Sequence, residues 1–312
     1  MASPRFRITV IGTINKDTII FPSGEKTESF GGILYNLSAL SGLGGSNVEI
    51  YPMCNLGHDV YDQVKGILKN HDNVKLDGIH KVRRKNNHAY LFIDKENQKQ
   101  EVLQNRVPAL DFEQIRPFLD SDAILVNFIS GFDLSLNTLK RIRKNTEALI
   151  FMDIHSLTLG IQKDGKRFLR TPRSWREYLK QADFVQTNLP ELSVLFGRTL
   201  KSSKEIYDLG CYVLNLGPEI LLVTMGEEGA FMIYKERTTY KLKKGEGIKV
   251  RGFKDATGCG DIFSVGFLIK YLHTRNLNQC LDFANRVAAE KCKISGVEGV
   301  ANLLKKLTRT PH

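Results

Sequence analysis

Apolar and β-branched residues gather in short uninterrupted runs along this chain. Between them lie longer stretches in which apolar positions recur with the period of a helix. Residues 7–12, 123–128, 148–153, 184–187 and 220–224 read as strands, because compact β-branched runs suit a sheet buried on both faces. Residues 32–43, 59–69, 135–145, 189–196, 204–214 and 261–273 carry the helical period instead. Strand and helix in alternation predict βαβ units, hence an α/β fold around a central, mainly parallel sheet.

One region breaks the alternation. Residues 87–94 and 98–103, with Lys95-Glu96-Asn97 between them, read as a β-hairpin, and residues 17–21 as a further strand. Together they predict a small β-sheet drawn from about residues 13–32 and 86–106, placed beside the main sheet where a lid over an active site would lie. No internal repeat, low-complexity tract or linker divides the chain, so residues 1–312 are read as one domain carrying that lid.

Composition adds limits. Apolar residues make up 42% and charged residues 25% of the 312, which suits a globular chain with a sizeable core. The five cysteines are scattered without a Cys-x-x-Cys pair, so reduced thiols are expected in place of a zinc ribbon or a disulfide framework. The basic start, Met1 to Arg7, is too short for a signal peptide, and no apolar stretch reaches the roughly 20 residues of a spanning helix. A cytoplasmic protein with no membrane partner is the expectation. The net charge of +11 raises a nucleic-acid partner, but the basic residues are dispersed and no helix-turn-helix, zinc-finger or RNA-recognition signature occurs. A solvated basic surface accounts for the charge, and no nucleic-acid partner is expected.

The stretch Asp255-Ala-Thr-Gly-Cys-Gly-Asp261 carries the chemistry. An extended segment precedes it and a helical pattern follows. Two glycines one residue apart before a helix let the backbone approach an anion closely, and the free N–H groups of the helix start favour negative charge there. An aspartate at that mouth is placed to take a proton from a hydroxyl attacking a phosphate. It is equally the sort of residue that caps a helix after a glycine turn. Taken alone, the stretch leaves both readings open.

The wider pattern resembles the ribokinase-like, PfkB-type family of carbohydrate and nucleoside kinases. Its signature Asp-Thr-x-Gly-Ala-Gly-Asp, followed by Phe-x-x-Gly-Phe, is matched from Asp255 to Asp261 and on through Phe263, Gly266 and Phe267, with departures at Ala256 and Cys259. The resemblance implies a three-layer α/β domain with a small β-sheet lid. It implies ATP as phosphate donor, Asp261 as catalytic base, and an anion hole from the backbone of Gly258, Cys259 and Gly260. Further marks follow in the family's order: Asn15 and Asp17 after the first strand, and Gly31-Gly32 with Asn36, all implied to meet the substrate. Asn188 and Glu191 are implied to serve the phosphates and a Mg2+ ion held through water; Thr224, Gly226, Gly229 and Asn285 the nucleotide; Asp255 and Thr257 a monovalent cation such as K+. Each mark is weak by itself; their joint order and spacing are what count. The acceptor implied is a sugar, sugar acid or nucleoside, and a homodimer is compatible with the family. A catalytically idle sugar- or nucleotide-binding regulator of the same fold is the alternative.

Some segments depart from the pattern. Asp153-Ile-His155 replaces the usual Asp-x-Asn, and His155 is read as a satisfied loop histidine in preference to a substrate contact. Residues 160–174 form a Lys- and Arg-rich insertion, read as a solvated loop. Ile33-Leu34-Tyr35 is apolar where ribose-specific relatives are more polar, which hints at a nucleobase. Residues 42–47 make a poor dinucleotide fingerprint, and neither a P-loop nor a His-Arg-Asp kinase loop is present.

Overall fold

Strands buried on both faces alternate their side chains between two cores, and the central strands here do so. The computed structural model describes residues 6–94 and 99–309; the first five residues and the hairpin turn Lys95-Glu96-Asn97 lie outside the described residues. The strands are β1 (Phe6–Ile11), β2 (Lys16–Ile20), β3 (Lys26–Phe30), β4 (Val48–Gly57) and β5 (Ile79–Val82). They continue with β6 (His88–Ile93), β7 (Lys99–Gln104), β8 (Ala123–Asn127), β9 (Leu149–Asp153) and β10 (Leu159–Ile161). The last are β11 (Arg167–Leu169), β12 (Phe184–Asn188), β13 (Ile220–Thr224), β14 (Gly229–Glu236) and β15 (Thr239–Glu246). Helices are α1 (Leu34–Gly44), α2 (Tyr61–Leu68), α3 (Phe112–Ile115), α4 (Leu136–Lys144) and α5 (Trp175–Leu179). After them come α6 (Leu189–Phe196), α7 (Ser203–Leu216), α8 (Cys259–Thr274), α9 (Leu277–Lys291) and α10 (Val300–Arg309).

The main sheet has the order β15-β14-β13-β12-β9-β8-β1-β4-β5. It is parallel from β13 to β5, and β14 and β15 add an antiparallel edge. On one face Ile8, Val10 and Leu125 pack with α1, α2, α8, α9 and α10. On the other, Ile11, Ile124 and Val126 pack with α3 to α7. This is the three-layer α/β architecture expected, with a helix layer on each side of the sheet. β15 is an edge strand whose Lys241, Lys243 and Lys244 guard against pairing with another chain. That polar pattern is why the sequence reading passed over it.

A second, four-stranded sheet has the order β3-β2-β6-β7. β2 runs parallel to β6, with Asp17 opposite Ala89, and the outer pairs are antiparallel. The insertion at 160–174 is largely solvated, as expected, but it is not a loop. β10 and β11 pair as a hairpin, and Leu103 N–H donates to Gly165 O at 2.9 Å, joining that hairpin to the small sheet beside β7. A backbone that finds a ladder partner folds against it even when its side chains are basic. No helix among the described residues is long and apolar enough to cross a membrane.

Candidate active site

The carboxyl ends of the central strands converge on the start of α8. β8 ends in Asn127, which pairs in register with Asp153 at the end of β9; Asn188 and Thr224 pair likewise at the ends of β12 and β13. In an open parallel sheet this is the edge at which ligands bind. Gly258 caps α8 from the left-handed region, at φ 79°, and a Cβ there would collide with the Tyr35 ring of α1. Only glycine fits both conditions. The N–H of Cys259, expected among the anion-hole donors, bonds to Ala256 O at 3.1 Å. The N–H groups of Gly258 and Gly260 have no protein acceptor among the described residues, and they stand at the positive end of a 16-residue helix.

Asp261 lies in the first turn of α8 and is 7% exposed. Asn127 Nδ2 donates to its Oδ1 at 2.6 Å and to Asn36 Oδ1 at 3.0 Å. Asn36 Nδ2 in turn donates to Asp261 O at 2.9 Å and to Ser264 Oγ at 3.4 Å. Asn36, expected to meet the substrate, is fully buried with its polar atoms spent in this way, so it locks α1 against α8. Burial raises the Asp261 carboxyl to about 7, while the Asn127 hydrogen bond and the Lys291 ammonium pull it the other way. A carboxyl poised there is half ionised at neutral pH, the useful range for a general base.

Two further acids share the floor. Glu191 is raised to about 7 by burial and by Asp261, against hydrogen bonds from Asn188 and Thr187. Asp153 is raised by burial, then by Glu191 and Asp261. Gln186 Nε2 ties the group together, donating to Asp153 Oδ2 at 2.7 Å and to Gly260 O at 2.9 Å. Asn188 and Glu191 form a capping box at the start of α6, with Asn188 Oδ1 accepting from Glu191 N and Glu191 Oε2 from Asn188 N. Among the described residues no three His, Cys, Asp or Glu side chains stand close enough to hold a metal ion unaided. Mutually repelling carboxyls with oxygen ligands nevertheless fit Mg2+, which keeps most of its waters and shares phosphate oxygens. Asp255 does not fit a free monovalent cation, since its carboxylate already meets Lys291 Nζ at 3.0 Å.

These features match a known family. Residues 38–301 fit the model described as pfkB family carbohydrate kinase. The chain belongs to the pfkB family. It is 21% identical over 296 residues to a cytidine kinase of Thermococcus kodakarensis, covering 92% of this chain and 96% of that one. A Staphylococcus aureus ribokinase is 25% identical over 134 residues, 43% of this chain and 42% of its own. The chain spans about half the length of the first curated relatives it matches. Arabidopsis thaliana ribokinase complexed with ribose and ATP superposes with a TM-score of 0.77 at 17% identity, over 98% of this chain and all of that one. A pyrophosphate-dependent ribokinase-family kinase, complexed with a pyrophosphate analogue and myo-inositol, gives 0.74 at 16%, over 93% of this chain and 96% of that one. At such identities the likeness is one of fold.

In this pfkB-family protein the small sheet brings its own groups to the candidate site. Gly31 packs so closely on Asp17 that a Cβ would strike the carboxyl, and Gly32 lets the chain turn into α1. Burial, Glu101 and Asp261 push the Asp17 carboxyl up to about 8. Asn15 is 7% exposed, and its Oδ1 is buried with no partner among the described residues. Ile33, Leu34 and Tyr35 belong to the core, so the nucleobase hint drawn from them falls. His155 Nδ1 pairs with Ser156 Oγ at 2.9 Å, and burial with Arg167 nearby keeps the ring neutral, lowered to about 4.

Gly226 and Gly229 flank a turn after Thr224, and this turn meets the end of β15: a Cβ on Gly247 would strike Glu227 O. Asn285 Nδ2 reaches Glu246 O at 3.4 Å. The residues expected around the nucleotide thus run from Asn188 through its register partner Thr224 to this turn and Asn285. Asn127, Asp153, Gln186 and Lys291 escaped the sequence reading as site residues. A polar residue closing an otherwise apolar strand was the available signal for Asn127.

Proposed function

We propose that the protein transfers the γ-phosphate of ATP to a hydroxyl of a sugar, sugar acid or nucleoside, with Asp261 as general base. The observation that carries this reading is the Asp261 carboxyl, held by Asn127 at 2.6 Å at the mouth of α8, beside the unpartnered N–H groups of the glycine turn. Asp261 takes the acceptor's hydroxyl proton as the oxygen attacks phosphorus and the bond to the ADP oxygen breaks. The N–H groups of Gly258 and Gly260 stabilise charge on the transferred group, with no reorganisation at the moment of reaction. Magnesium, when bound, neutralises phosphate charge; Glu191 and Asp153 would hold it through water.

On the donor side, the segment after β15 packs on the 226–229 turn at Gly247, and its exposed apolar residues Ile248 and Phe253 would offer faces to a base. A pyrophosphate donor would leave those faces unused, which is why ATP is preferred. On the acceptor side, Asn15 Oδ1 and Asn127 Oδ1 are buried acceptors without partners among the described residues, and ligand hydroxyls would satisfy them. We infer that the small sheet closes as a lid over this acceptor and excludes water.

The test is Asp261→Asn, assayed against pooled sugars, sugar acids and nucleosides with ATP and pyrophosphate in parallel. ATP binding is expected to persist while kcat falls about 1000-fold. A variant with full turnover removes the base assignment, and transfer from pyrophosphate alone removes the donor.

A further inference from the structure

Lys291 closes α9, and its side chain has no solvent exposure. Its ammonium donates to Asp255 Oδ2 at 3.0 Å and to Asp255 O at 3.2 Å, and it lies 5.5 Å from the centre of the Tyr35 ring. Asp255 completes the cluster by accepting from Thr257 N at 2.8 Å and Gly296 N at 3.2 Å. A buried ammonium is costly unless its charge and its N–H groups find partners. Here two oxygens of one residue and an aromatic face supply them.

The location gives the cost a purpose. Asp255 opens the segment that ends at Asp261, and Tyr35 is the ring that abuts Gly258. One charge therefore fixes three parts of the fold around the glycine turn: the end of α9, the entry to α8 and the side of α1. It is also the place where a free monovalent cation was expected, at Asp255 and Thr257. A second cation beside an ammonium already bound to that carboxylate would be repelled.

We propose that the Lys291 ammonium is a tethered cation that takes the part of a free monovalent ion, holding the glycine turn in its phosphate-binding shape and making transfer independent of K+. Lys291 is then a positioning residue, acting through Asp255, Tyr35 and the turn. The inference rests on the kinase reading of the 255–261 segment. Its charge also faces Asp261 and favours the ionised base.

The experiment compares wild type, Lys291→Ala and Lys291→Arg in N-methylglucamine, sodium and potassium chloride at about 0.1 M each. Thermal melting and phosphoryl transfer are both read. Wild type should melt and turn over alike in all three, within about twofold in kcat. Lys291→Ala should lose about tenfold or more in kcat with little change in acceptor KM, and its acid limb should move to higher pH. K+ or n-propylammonium should restore part of both turnover and melting temperature in that variant. Lys291→Arg, which keeps the charge, should melt nearer to wild type and ignore K+.

A wild-type enzyme that needs K+ for turnover, or melts several degrees higher only in K+, overturns the proposal. So does Lys291→Ala turning over like wild type without K+. If Lys291→Ala does not fold, the wild-type cation series and Lys291→Arg still decide. The melting arm needs neither donor nor acceptor, so a chain that phosphorylates nothing would sink the kinase reading while cation-restored melting of Lys291→Ala still supported the tethered ion.

Discussion

The two ends of the candidate site are built differently. The end proposed for phosphate is a short piece of chain: a glycine turn, a helix start and residues 255 to 261 in unbroken order. The end proposed for the acceptor is gathered from afar, with Asn15 just before β2, Asp17 on β2, Glu101 on β7, and Asn127 at the end of β8. One end works through backbone N–H groups whose direction is set by local geometry. The other works through side chains whose placement depends on the small sheet meeting the main one. Damage at the first should therefore abolish chemistry for every acceptor, while damage at the second should change which acceptor is used and at what pH the fold is comfortable.

The sharpest break in this comparison is Gly258→Ala. The left-handed backbone costs a β-carbon about 1 kcal/mol, and the collision with Tyr35 adds to it by displacing the turn. Moving the N–H donors by a fraction of an ångström should lower kcat about 100-fold for all acceptors alike. Steady-state kinetics on two unrelated acceptors checks this. A loss confined to one acceptor would mean that the turn belongs to acceptor recognition.

The same contrast explains what was legible along the chain. Apolar strand runs, the helices α6 and α7 and the 255–261 turn are all written within a few residues, and each was found, although the capping boxes at Asn188 and Ser202 that open those helices were not named. The small sheet was legible too, because β6 and β7 are neighbours in sequence. What escaped joins distant segments. Asn127 meets Asp261 across 134 residues, Gln186 meets Gly260 across 74, and Lys291 meets Asp255 across 36. No local pattern marks a lysine at a helix end as buried, since most lysines there reach solvent. The hairpin of β10 and β11 was missed for a related reason. Its basic side chains suggested a loop, while the ladder that fixes it lies on β7.

A second prediction concerns the acids that the fold buries. Asp17 is raised to about 8, and Glu191 and Asp261 to about 7, from ordinary values of 3.8, 4.5 and 3.8. Between pH 6.5 and 8 the native state still holds protons that the unfolded chain has released, so stability without ligands falls as pH rises through this window. His155, whose ring burial keeps neutral in the native state, works the other way but weakly, since its unfolded ring is only half protonated at 6.5 and neutral by pH 8. Melting temperature should drop from pH 6.5 to 8. Asp17→Asn should flatten that slope and gain about 2 kcal/mol at pH 8, because it removes a buried charge without changing shape. The same variant should weaken acceptor use. A melting temperature that rises across this window would mean that these carboxyls are solvated, and with them the acceptor end.

The smallest expected effect lies at Cys259, where a side chain sits inside the backbone-built end. Its Sγ faces Cys292 Sγ at 3.1 Å, and burial with that neighbour raises the thiol well above its usual range, against a smaller pull from the Lys291 ammonium. A protonated thiol is a weak nucleophile, so iodoacetamide should label it slowly with or without ATP. Cys259→Ala removes one small group from a sulfur contact and should cost about 1 kcal/mol in stability. It leaves the backbone path of the turn intact, so kcat should stay within about twofold of wild type. A much larger fall in kcat, or fast labelling blocked by nucleotide, would put the thiol in the path of the phosphate. The phosphate end would then depend on side chains as the acceptor end does, and the distinction between the two would dissolve.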